Sequence, residues 1–143
     1  MAKLDHIGIL VTNLDKSIKF YKETFGCGSP KIINVDKPGL RLRMAMLPFG
    51  ENYIQLVEPL EGLWLEYLKD EGEGAIAEIS FQVEDIVKFY DEMKTRGVSP
   101  VDMLGNPLKD KYVLSSSGNK YLYLPRKDAL GTLIEVLERT RKE

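Results

Sequence analysis

The chain repeats itself, and that repetition constrains its fold more than any other feature. "HIGILV" (6–11) has the strand phase of "EISFQV" (78–83), and "IKFYKETFG" resembles "VKFYDEMKTRG". "YIQLVEPL" (53–60) resembles "LIEVLERT" (133–140). Duplication on this scale is weighed before any other fold argument, because two copies of one supersecondary unit bury their apolar faces in the same way.

Each copy reads strand, helix, then three strands. Residues 3–12 alternate, with Ile7, Ile9 and Val11 on one side and His6, Gly8 and Leu10 on the other. Thr12 and Asn13 are helix-capping residues, Leu14, Ile18, Tyr21 and Phe25 keep helical spacing, and Gly26 stops the run. Strands are predicted over 31–36, 40–48 and 52–58, broken at Pro38-Gly39 and at Gly50-Glu51-Asn52. In the second copy Ile79, Phe81 and Val83 oppose Glu78, Ser80 and Gln82. Asp85 caps a helix carrying Ile86, Phe89, Tyr90 and Met93, ending at Gly97, and strands are predicted over 110–116, 119–125 and 131–138. Between the copies "GLWLEYLKDEGEG" predicts a short helix running into an acidic, glycine-containing joint. The expected organisation is a first βαβββ module over 1–60, a connecting helix and joint over 61–74, and a second module over 75–143, forming one compact α+β domain.

The duplication places four polar residues at matching positions. His6, the only histidine, lies on the first strand of copy one, and Glu78 is its counterpart 72 residues later. Gln55 lies on the last strand of copy one, and Glu135 is its counterpart 80 residues later. Gln55 shares its face with Tyr53 and Val57, and Glu135 with Leu133 and Leu137. A carboxylate buried on such a face costs several kcal/mol unless it is partnered. If the copies pair by pseudo-twofold symmetry, one nitrogen and three oxygen donors converge and can hold a divalent cation with positions left for substrate. Taken singly, each residue has a plainer reading: a hydrogen-bonded core histidine, and glutamates at a sheet edge.

Composition excludes several function classes. A net charge of −2 gives no electrostatic case for nucleic-acid binding. No apolar run approaches the roughly 18–20 residues of a membrane span, and MAKLDH lacks a signal-peptide core, so a cytoplasmic location is expected. Cys27 has no cysteine partner and no visible base beside it, which argues against a disulfide and a nucleophilic role. Arg41, Arg43, Lys109, Lys111, Arg126 and Lys127 are candidates for contact with a phosphate-bearing tail, although solvated surface charge is the simpler reading.

These segments resemble the vicinal oxygen chelate superfamily, which includes glyoxalase I, bleomycin-resistance proteins, extradiol dioxygenases and methylmalonyl-CoA epimerase. "LDHIGILVTNLDKSIKFYKETFG" is similar to that family's opening strand and helix, and "YIQLVEPL" to its strand bearing a second ligand. "EISFQVEDI" is similar to the segment that usually begins with histidine, and "KDALGTLIEVLE" to the closing strand, in wording close to the epimerases. The resemblance implies paired βαβββ modules forming a cup-shaped mixed sheet around one divalent metal. It implies His6, Gln55, Glu78 and Glu135 as ligands, with Glu135 or Glu78 moving a proton α to a carbonyl. Glu78 departs from the expected histidine and makes the site harder; Co, Mn, Zn, Ni and Mg all remain open.

A second departure lies at Met44. As the family aligns, a catalytic glutamate precedes an Ala-x-Leu stretch, which here is Ala45-Met46-Leu47. Met44 and Met46 would then line the substrate site, although plain core packing explains methionines at strand spacing as well. The resemblance implies a small-molecule substrate, an acyl thioester or a hemithioacetal, and a homodimer. A metal-free binding protein of the resistance type is the alternative of a different class.

Overall fold

The chain alternates sheet and helix because its apolar residues change period from two to near four at each capping residue. A computed structural model describes residues 2–140. The elements run β1 (Lys3–Leu10), α1 (Leu14–Phe25), β2 (Lys31–Lys37), β3 (Leu40–Phe49), β4 (Asn52–Glu61), α2 (Leu63–Glu71), β5 (Ile76–Gln82), α3 (Ile86–Thr95), β6 (Val113–Leu114), β7 (Lys120–Leu124) and β8 (Ile134–Glu138). Two βαβββ runs joined by α2 make the protein α+β, as expected from the duplication.

Contacts divide the chain into two units, His6–Ala77 and the remaining described residues before and after it. The first unit carries the strand order β2-β3-β4-β1, and the second β5-β8-β7-β6. The outer pairs are antiparallel, whereas β1–β4 and β5–β8 are parallel. Each parallel pair needs a long crossover, which the intervening helix and hairpin supply.

In the first unit, α1 is capped at Asn13, whose side chain accepts the Lys16 N–H at 3.0 Å. It closes at Gly26, where φ is 68° and the N–H donates to Lys22 O at 2.9 Å, a left-handed position that suits glycine. Its Leu14, Ile18 and Tyr21 pack on Ala45, Leu47, Leu56 and Ile54 of the sheet. The half-buried Cys27 sits in the same cluster as a small apolar residue. In the second unit, α3 is capped at Asp85, which accepts the Lys88 N–H at 3.0 Å. Ile86 packs there with Leu122 and Val136, flanked by Phe89, Tyr90 and Ile134. Each helix thus covers one sheet face and leaves the other to the residues of the candidate site.

The connecting helix α2 buries Trp64 almost completely, at 1% exposure. Its approach depends on Gly62: at φ 105° a Cβ there would fall 2.4 Å from Gly39 O, so no side chain fits.

Three predicted strands of the second copy are shorter than expected. β6 is two residues rather than 110–116, because Asp110, Lys111 and Tyr112 form bends and Lys111 pairs with Asp91 at 2.9 Å. β8 begins at Ile134 rather than 131, since residues 126–132 form a 3-10 turn and a following loop. In that loop Leu130 and Gly131 have φ of 57° and 94°.

Candidate active site

The open face of the first unit is set by register. In the parallel β1–β4 ladder His6 lies opposite Tyr53 and Gly8 opposite Gln55. In the antiparallel β3–β4 ladder Met46 lies opposite Gln55 and Met44 opposite Val57. Paired residues point to the same side of a sheet, so His6, Gln55, Met44 and Met46 share one face. The structure therefore brings the two first-copy ligand candidates together with the two methionines.

His6 is 3% exposed and stacks on Tyr53, with ring centroids 4.5 Å apart and planes 18° apart. That stacking fixes the imidazole plane. Gln55 is buried, and its Nε2 donates to Met44 Sδ at 3.4 Å. This contact turns the amide nitrogen toward Met44 and the amide oxygen, the atom suited to a cation, the other way. Gly8, opposite Gln55, adds no side chain to crowd the amide.

The open face of the second unit follows the same construction. β5 and β8 pair with Ser80 opposite Glu135, and β7 and β8 pair with Tyr123 opposite Glu135 and Tyr121 opposite Leu137. Glu78, two residues before Ser80, shares this face and is 1% exposed. Glu135 is partly exposed and held at both oxygens: Ser80 Oγ donates to Oε1 at 2.7 Å, and the Tyr123 hydroxyl donates to Oε2 at 3.3 Å. Both donors are buried.

Burial pushes the Tyr123 phenol well above the usual tyrosine range, and the charges of Glu135 and Glu78 push it further. Tyr123 is therefore a hydrogen-bond donor throughout the working pH range. Tyr121 is pushed up to about 12, first by burial and then by Glu135 and Asp102. Sequence reasoning passed over Ser80 and Tyr123. The alternation of "KYLYL" carried a signal for Tyr123, since Tyr121 and Tyr123 fall on one side and Leu122 and Leu124 on the other. The signal for Ser80 was its place between Glu78 and Gln82 on the polar side of its strand.

The basic candidates are partly committed elsewhere. Arg43 approaches Glu58 at 3.4 Å and Asp15 at 3.8 Å, and Lys111 pairs with Asp91.

Residues 5–111 match the model of the Glyoxalase/Bleomycin resistance protein/Dioxygenase superfamily. The chain belongs to this superfamily. The resemblance drawn from the quoted segments is thereby borne out. Among its relatives is an ethylmalonyl-CoA/methylmalonyl-CoA epimerase from Cereibacter sphaeroides, 28% identical over 140 residues, spanning 95% of this chain and 97% of that protein. A solved methylmalonyl-CoA epimerase in complex with methylmalonyl-CoA and NH4+ superposes with a TM-score of 0.78 at 28% identity, over 100% of this chain and 98% of that one. A Streptomyces coelicolor methylmalonyl-CoA epimerase variant bound to 2-nitronate-propionyl-CoA gives a TM-score of 0.77 at 29% identity, over 99% of this chain and 96% of that one. Among the described residues no helix is long and apolar enough to cross a membrane.

Proposed function

We propose that this superfamily member is a divalent-metal-dependent isomerase that moves the proton α to a carbonyl. Its substrate would be an acyl thioester, such as a 2-substituted acyl-CoA, and its action epimerase-like. The observation that carries this reading is Glu135, a carboxylate held at both oxygens on a partly exposed face beside a second, buried carboxylate. The full-length likeness to epimerases supports it.

His6, Glu78 and Glu135 would hold the ion, with Gln55 as the fourth ligand that the family resemblance implies. The donor set suits such a cation: two carboxylates on one sheet face, and no Lys or Arg among that face's positions 78, 80, 82, 121, 123, 133, 135 and 137. Co, Mn, Zn, Ni and Mg all accept such donors. When bound, the ion would supply Lewis acidity that draws charge from the substrate carbonyl and makes the α C–H more acidic. Glu135 takes the α-proton while the C–H electrons delocalise toward the carbonyl oxygen; a proton delivered to that carbon on the opposite face gives the other epimer, and one returned by Glu135 after exchange with solvent gives labelled starting material. Glu78 is the other carboxylate able to serve. Met44 and Met46 give the α-substituent an apolar wall. The two modules act as one domain, and the protein is read as a cytoplasmic homodimer.

The test follows solvent deuterium into methylmalonyl-CoA, other 2-substituted acyl-CoAs and hemithioacetals, with each metal supplied in turn. Metal-dependent wash-in with an acyl-CoA that is lost in Glu135→Gln is expected. Exchange that survives Glu135→Gln would defeat the role of Glu135. Wash-in with hemithioacetals alone would make the protein a lyase of the glyoxalase type. A protein that takes up no divalent ion would be a metal-free binder.

A further inference from the structure

We propose that Ser80 and Tyr123 are positioning residues for Glu135, which fix the carboxylate in the orientation from which it meets a divalent cation. This rests on the metal-binding reading above and deepens it. Ser80 is 0% exposed and Tyr123 2% exposed, yet each directs its hydroxyl at a different oxygen of one carboxylate. A carboxylate oxygen offers two lone-pair directions. With one direction on each oxygen taken by a donor, Glu135 cannot rotate about its terminal bond without breaking both contacts.

The donors are themselves fixed by main-chain structure. Tyr123 exchanges backbone hydrogen bonds with Val101 in both directions, at 2.8 and 2.9 Å, on the side away from β8. Ser80 lies in the β5–β8 ladder directly opposite Glu135. The first copy makes a different choice at the matching place. Gly8 faces Gln55 there and offers no hydroxyl, and the Gln55 amide is turned instead by the Met44 sulfur. A neutral amide with its own donor and acceptor ends needs only to be turned the right way. A symmetric carboxylate needs both oxygens held. The hydroxyls thus appear where the ligand is charged, as outer partners of ligating carboxylates generally do.

The test titrates metal-free protein with Mn2+ by calorimetry, so that its readout is metal affinity rather than turnover. Ser80→Ala and Tyr123→Phe are each expected to weaken binding by roughly 10- to 100-fold, and Ser80→Thr to restore it. Thermal unfolding of the metal-free variants serves as the second measurement. If Ser80→Ala destabilises the fold, Tyr123→Phe, which keeps its ring, decides the matter. Wild-type affinity in Ser80→Ala and Tyr123→Phe, alongside lost affinity in Glu135→Gln, would overturn the positioning role and leave the metal site standing. Wild-type affinity in Glu135→Gln would overturn the metal site itself.

Discussion

Glu58 Oε2 accepts the backbone N–H of Leu14 at 2.9 Å, and the second copy repeats the contact as Glu138 Oε1 accepts the N–H of Ile86 at 3.1 Å. Each glutamate lies three residues beyond the candidate ligand of its own strand, Gln55 or Glu135. Each also meets the first residue of the helix in its own copy, where unsatisfied N–H groups and the helix dipole favour an anion. Glu58→Ala and Glu138→Ala are each expected to cost about 1 kcal/mol, read as a lower urea midpoint at constant m-value. An unchanged midpoint would mean that water replaces the carboxylate without loss.

Removing divalent ions with a chelator is expected to stop deuterium exchange and lower the Tm. Restoring Mn2+ at about 100 times its Kd should return about 2.7 kcal/mol of stability, since a ligand that binds only the folded state stabilises it by mass action. Elemental analysis should find one ion per chain. Full activity in stripped protein would remove the metal from the mechanism.

Met44 faces the same side as Gln55 and is buried at 7% exposure; the family resemblance implies a catalytic glutamate at this position, and the chain carries a thioether instead. Inverting a carbon requires proton donation on the face opposite abstraction. Wild-type protein is therefore expected to wash deuterium into substrate faster than it interconverts epimers. Met44→Glu should raise the epimerisation-to-exchange ratio by about 10²-fold, the usual scale for a positioned acid–base group. The buried carboxylate should also lower stability. Chiral chromatography of the quenched thioester, beside mass spectrometry, measures both rates, and an unchanged ratio would exclude position 44 from proton transfer.

Tyr121 ionises at about 12 in the folded protein against 10.0 for an unperturbed phenol, and Tyr123 shifts in the same direction. Between those values the unfolded chain has already lost the proton that the folded chain retains. The stabilisation linked to these groups is thus fully present below pH 10 and is lost as pH climbs toward 12. A tyrosinate absorbance titration should show at least two of the seven tyrosines ionising late and together with unfolding. In Tyr121→Phe the alkaline loss of stability should be shallower, since only Tyr123 then contributes.

The duplication was legible because strand phase survives where letters do not. Spacings of 72 and 80 residues, taken from the sequence, are matched in the ladders: Gly8 faces Gln55 as Ser80 faces Glu135. Asn13 and Asp85 announced their helices, since a capping side chain acts within three residues. Ser80 and Tyr123 escaped notice because their role depends on which strands become neighbours. Tyr123 meets Glu135 only through β7–β8 pairing, which alternation alone does not specify. Leu133 extended the apparent closing strand, but the left-handed Leu130 and Gly131 delay its start.

Asp5 and Arg139 form a two-pronged ion pair at 2.7 and 2.8 Å, with Asp5 buried. Lys3, Leu4 and Asp5 accordingly group with the copy that follows them by more than seventy residues, while the rest of their strand groups with the other. The ion pair thus clasps together two residues that lie 134 positions apart in the sequence, within one unit. A rearranged gene that links the segments beside Asp5 and Arg139 through a few glycines and starts the chain within Gly72–Gly74 would encode the copies in reverse order. The clasp would then be built into the main chain.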